Sequence, residues 1–110
     1  MSDSVGDTGP MMRVELAFFK DNEFLCRGSI LIDREQRHAT MTSESGDEFR
    51  ISYMYEEPAC SIMIHCFADG ELVSRWAMSM GVHTSDDWED ISLVPYDLSF
   101  RCEAGDQDHA

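Results

Sequence analysis

The sequence predicts an all-β protein, a small antiparallel β-sandwich or partly open barrel of about seven short strands. Three observations carry this. Apolar residues recur at every second position and not every 3.6. Turn signals separate these runs at short intervals, the Asp-Gly pair at 69–70 foremost. No long helical pattern or crossover unit interrupts them, which sets aside a doubly wound α/β fold.

The elements follow in order. Residues 1–11 are polar and aperiodic and read as a disordered arm, residues 12–103 as one β domain, and 104–110 as a disordered acidic tail. Val14, Leu16 and Phe18 alternate with Arg13, Glu15 and Ala17. Lys20-Asp21-Asn22 is a turn signal. Phe24, Cys26, Ile30 and Ile32 share the face of a second strand, which Gly28 interrupts as a bulge would. His38–Ser43 is a weak third strand, and Glu44-Ser45-Gly46-Asp47 a tight turn. Phe49, Ile51, Tyr53 and Tyr55 then alternate with Arg50, Ser52 and Met54 in the cleanest half-buried pattern of the chain. After Pro58, the runs Cys60–Ala68 and Glu71–Met80 flank Asp69-Gly70, where a type I′ turn needs positive φ twice. Thr84 and Asp87 match a capping box, so at most one short helical turn is expected, near residues 85–90. Tyr96, Leu98, Phe100 and Cys102 share the face of a last strand, with Pro95 at its start.

A two-residue turn at 69–70 fixes a register. Ala68 faces Glu71, Cys66 faces Val73, Ile64 faces Arg75, and Met63 faces Trp76. One face then carries Met63, Phe67, Leu72, Trp76 and Met78, the other Cys60, Ile62, Ile64, Cys66 and Val73. Both are apolar, and the first is the expected second interface, for an assembly partner or a homodimer.

No chemistry-bearing motif stands out, and the chain reads as no enzyme, with no cofactor and no metal site. Cys26, Cys60, Cys66 and Cys102 form no C-x-x-C pair and read as reduced, buried thiols of a cytoplasmic protein. His65 and Cys66, adjacent on a strand, point to opposite faces. The run Ser85–Asp90 lacks EF-hand spacing and reads as a solvated acidic loop.

Charge is the strongest signal. Asp and Glu number 22 against 8 Lys and Arg, a net charge of −14 on 110 residues. Half of that, −7, lies in residues 81–110, where only Arg101 opposes the acids. This excludes nucleic acid and anionic membrane as direct ligands. Solubility needs a charge of only about 2–8, and a larger one costs stability by self-repulsion. A halophilic source is another origin for acidity, and Lys20 as sole lysine fits it. The reading that best accounts for the excess is a basic protein partner. The expected function is inhibition of a nucleic-acid-processing enzyme, in the manner of phage or mobile-element DNA mimics such as anti-CRISPR and anti-restriction proteins. The expected contact residues are Asp86, Asp87, Trp88, Glu89 and Asp90, extended by Glu56, Glu57, Asp69 and Glu71. An immunity protein against a cognate toxin is the alternative within this class, and a structural subunit assembling through the Met63–Trp76 face the alternative outside it.

Overall fold

The computed structural model describes residues 12–82 and 84–104, so the expected arm, and the expected tail after Ala104, lie outside the described residues. Among the described residues eight strands form: β1 Met12–Lys20, β2 Glu23–Ile32, β3 Arg37–Thr42, β4 Asp47–Glu56, β5 Ala59–Ala68, β6 Glu71–Met80, β7 Glu89–Leu93 and β8 Tyr96–Ala104. They make two four-stranded antiparallel sheets, ordered β2-β1-β8-β7 and β3-β4-β5-β6, packed as a sandwich. Around both sheets the strands follow sequence order, and the ladder is missing only between β2 and β3 and between β6 and β7. It is a flattened meander, open along two edges, and not a closed barrel.

The inner faces are those that the alternation marks. Val14, Leu16 and Phe18 of β1, Phe49 and Ile51 of β4, Ile62 and Ile64 of β5, and Leu98 and Phe100 of β8 are buried together. Phe18 stacks on Phe49 at 4.0 Å between ring centroids, and Tyr96 meets Phe49 edge-on at 5.0 Å. This cluster joins the two sheets. Four cysteines are unpaired: Cys60, Cys66 and Cys102 are buried, and Cys26 is half-buried. No helix among the described residues is long and apolar enough to cross a membrane.

Three details differ from the expected pattern. The strand Glu89–Leu93 is an eighth element, with only Ile91 and Leu93 as its apolar alternation. The helical turn that the capping box allowed does not form: Ser85 Oγ accepts a bond from the Asp87 amide at 3.1 Å, closing a local turn, and the Ser85 amide donates to the Cys102 carbonyl, which ties the segment to β8. In β2 the bulge falls at Leu25 and not at Gly28, because Phe18 pairs with Cys26 but Phe19 with Phe24. Phe24 is thereby turned outward against Phe19, 60% exposed. Gly28 serves packing instead, since a Cβ there would lie 2.7 Å from the Met41 methyl of the facing sheet.

The fourth difference changes a face. The turn at 69–70 forms as expected, with Asp69 at φ 54° and Gly70 at φ 83°. Ala68 pairs with Glu71 and Phe67 with Leu72, but Cys66 then pairs with Ser74, so Val73 is a bulge. Beyond it the register is shifted by one: His65 opposes Arg75, Ile64 opposes Trp76, Met63 opposes Ala77, and Ile62 opposes Met78. Trp76 and Met78 therefore join the inner face, while Met63, Phe67 and Leu72 remain outside. The expected apolar interface of Met63, Phe67, Leu72, Trp76 and Met78 does not exist as one surface. Without the bulge, Arg75 would face inward beside Ile64; one irregular residue costs less than burying a guanidinium. Gly70→Ala should destabilise by about 1 kcal/mol, because only glycine takes this φ without strain. Urea unfolding with an unchanged midpoint would contradict that.

Candidate partner-binding surface

Antiparallel neighbours alternate in direction, so every turn from an odd to an even strand lies at the same end of the sandwich. These are Asp21-Asn22, Ser43–Gly46, Asp69-Gly70 and Val94-Pro95. The turn at 21–22 has positive φ at both residues, 54° and 66°, which Asp and Asn tolerate. Each turn or its flanking strand end carries acids: Asp21 and Glu23, Glu44 and Asp47, Asp69 and Glu71, and Asp97. The cation among them is Lys20. A hollow of about 350 Å³ lined by Lys20, Asp21, Glu23, Ser45, Asp47 and Asp69 shows that the turns of both sheets meet. A groove lined by Glu23, Phe24, Ser43, Glu44 and Ser45 continues it. A second hollow, with Asn22, Asp90, Ser92, Asp97 and Ser99, extends it down the outer face of the first sheet.

Asp47 anchors this end. It is buried, and its carboxylate accepts bonds from Tyr96 Oη at 2.7 Å, Ser45 Oγ at 2.9 Å and Ser43 Oγ at 3.2 Å. Burial alone would raise its pKa, but these three hydrogen bonds and nearby Lys20 outweigh it and hold the carboxyl below its ordinary value. Burial and the bond to Asp47 push the Tyr96 hydroxyl upward. The Lys20 ammonium lies 5.8 Å from the Tyr96 ring centroid. This network fixes the β3–β4 turn to the core, so Glu44 is presented on a stiff frame.

Most cations elsewhere are already engaged. Arg27 and Arg101 both bond Glu15 Oε1 at 3.1 Å, and Arg101 also reaches Glu103 at 3.0 Å. Arg13 lies near Glu103, Arg37 bonds Asp33 and Glu35, and Arg50 bonds Glu48. The Arg37 hydrogen bonds hold the Asp33 carboxyl below its ordinary value. Carboxylates thus outnumber cations at the hairpin pole, and Glu56, Glu57, Asp86 and Asp87 form a second acidic group at the other pole, while the arginine-bearing faces between them are more nearly balanced.

Comparison with protein-family models, curated proteins and solved structures finds no match. The surface must be read from its own geometry.

The nine expected contact residues do not converge. Asp69 and Glu71 stand at the hairpin pole. Glu56 and Glu57 lie at the opposite pole, about 30 Å away along a ten-residue strand. Asp86 and Asp87 occupy the loop leaving that far pole. Trp88 covers the outer face of the first sheet, its ring 5.2 Å from the Arg101 guanidinium and 5.4 Å from that of Arg27. It is engaged within the chain, closing the Arg27–Glu15–Arg101 cluster. Glu89 begins β7 at the sheet edge, and Asp90 accepts a bond from Ser99 Oγ at 2.5 Å. Sequence reasoning missed Asp21, Glu23, Glu44 and Asp97. The available signal was strand parity: in a meander, acids at alternate turns add up at one end. Among the described residues, no group of three His, Cys, Asp or Glu side chains converges as metal ligands would.

Proposed function

We propose that this chain is a cytoplasmic binding protein that inhibits a basic nucleic-acid-processing enzyme by occupying its nucleic-acid groove with the hairpin pole. The observation that supports this most is the convergence of three turns, at 21–22, 43–46 and 69–70, whose acids share a hollow with Lys20. Carboxylates about 7 Å apart along a strand match the order of phosphate spacing. Glu44 sits on a turn pinned through Asp47 and Tyr96, so little ordering entropy is lost there on binding. Reduced thiols suit a cytoplasmic setting.

The test is titration of the chain against basic nucleases and CRISPR effectors. Replacing Asp21, Glu23, Glu44 and Asp69 by their amides should weaken binding about 100-fold, mainly through slower association. Raising salt from about 50 to about 200 mM should weaken the parent further. Neutralising Asp86 and Asp87 should change it little. Binding that ignores both salt and the pole substitutions would overturn this reading.

A further inference from the structure

Three sulfurs meet between the sheets at the pole opposite the hairpin turns. Cys60 stands second in β5 and Met80 last in β6, and the two are ladder partners. The register shift at Val73 makes this pairing; without it Met80 would point outward. Cys102 comes from the facing sheet, on the inner face of β8, and its Sγ donates to Met80 Sδ at 3.8 Å. Both thiols are buried, and close enough that charge on Cys60 is felt at Cys102. Their backbones are held on both sides. Cys60 lies between Tyr55 and Met80, and Cys102 lies beside Val14 while its carbonyl accepts the Ser85 amide at 2.9 Å. Met80 is only partly buried, so the group of sulfurs has one side toward solvent.

We propose that Cys60, Cys102 and Met80 form a site for a soft monovalent metal ion, Cu(I), held by two thiolates and one thioether. The ligand type selects the metal: an all-sulfur set of thiolate and thioether suits Cu(I), whereas a structural zinc takes four ligands and calcium takes oxygen. Among the described residues no three His, Cys, Asp or Glu side chains converge, and here the third donor is a methionine. The spacing fits. Two sulfurs on one metal at about 2.3 Å, spread about 120° apart, stand about 4 Å from each other. Cys102 Sγ and Met80 Sδ already stand 3.8 Å apart. Binding exchanges protons for the ion. Two S–H bonds break, two thiolate–copper bonds and one thioether–copper bond form, and two protons leave to water. Copper stays Cu(I), so the step needs no oxidant or reductant. A chain of net −14 draws a cation toward it, and Met80 marks the way in.

Anaerobic titration of the full, reduced chain with Cu(I) against a chromophoric Cu(I) chelator tests this. The chain should retain one Cu(I) and release two protons for it. X-ray absorption of the copper-loaded chain should show a first shell of sulfur alone. Cys60→Ala and Cys102→Ala should each weaken retention about 100-fold or more. Met80→Leu, which keeps the volume of the side chain and so the fold, should weaken it about tenfold. Cys26→Ala, at the half-buried thiol of β2, should change nothing. Cu(I) should also raise the urea midpoint, because the three sulfurs come together only when the sheets are packed. Copper lost to the chelator, retention unchanged in the Cys60→Ala, Cys102→Ala double variant, a first shell of nitrogen or oxygen, or a midpoint that copper leaves unchanged or lowers would overturn the proposal.

Discussion

Phe49→Ala is expected to cost about 3–5 kcal/mol, a large share of the about 5–15 kcal/mol that holds a domain of this size together. Phe49 is fully buried at the centre of the sandwich, stacked 4.0 Å from Phe18 of one sheet and edge-on to Tyr96. Truncation removes the transfer energy of the ring and leaves a cavity between β1, β4 and β8. Their extended backbones are held by ladders on both sides, so the walls cannot collapse into it. Ile51→Val, one position along the same buried face, removes one methyl group and should cost only about 0.5–1.5 kcal/mol. Urea unfolding followed by tryptophan fluorescence reads both; a loss below about 1 kcal/mol at Phe49 would show that the two sheets are not joined through it.

Asp47→Ala is expected to cost about 2–4 kcal/mol, the second largest effect. It strands the Tyr96 hydroxyl in the core and frees Ser43 and Ser45 of the β3–β4 turn. Tyr96→Phe removes one donor of three and should cost about half as much. The same carboxylate makes stability depend on pH. Its folded pKa lies below the unfolded value, so its contribution is complete above the unfolded value near about 3.9 and drains away as pH falls through the folded one. Asp33, lowered by Arg37, acts with the same sign. The parent should therefore lose stability on acidification below about pH 4, and Asp47→Asn should start less stable but fall less steeply. Parallel acid curves for parent and Asp47→Asn would remove Asp47 from this role.

How much of this was legible in the sequence depends on which rule each residue obeys. Period-two burial reads directly, so the inner faces of β1, β4, β5 and β8 were predictable from Val14 to Cys102. The two bulges were not. Leu25 and Val73 are ordinary strand residues locally, and each bulge exists because tertiary packing prefers it: one turns Phe24 outward onto Phe19, the other turns Trp76 inward and Arg75 outward. A one-residue slip reverses every face beyond it, which is why the Met63–Trp76 surface dissolved while the turn beside it formed as expected. β7 escaped notice because its acids Glu89 and Asp90 mask two apolar positions. The acidic surface shifted for a topological reason. Local charge density pointed to residues 86–90, whereas strand parity gathers dispersed acids such as Asp21, Glu44 and Asp69 at one end.

The buried thiols give the molecule an internal record of its own opening. Burial pushes Cys66 and Cys102 up to about 11, and Cys60 upward as well, so at neutral pH almost no reactive thiolate is present while the sheets remain together. Cys26, half-buried at the β2 edge, is also raised to about 11, first by burial and then by Asp47. An alkylating reagent in excess therefore reports when the sandwich parts. Cys26 registers fraying of β2, and the three interior sulfurs register separation of the layers, residue by residue, in a chain that needs no added probe.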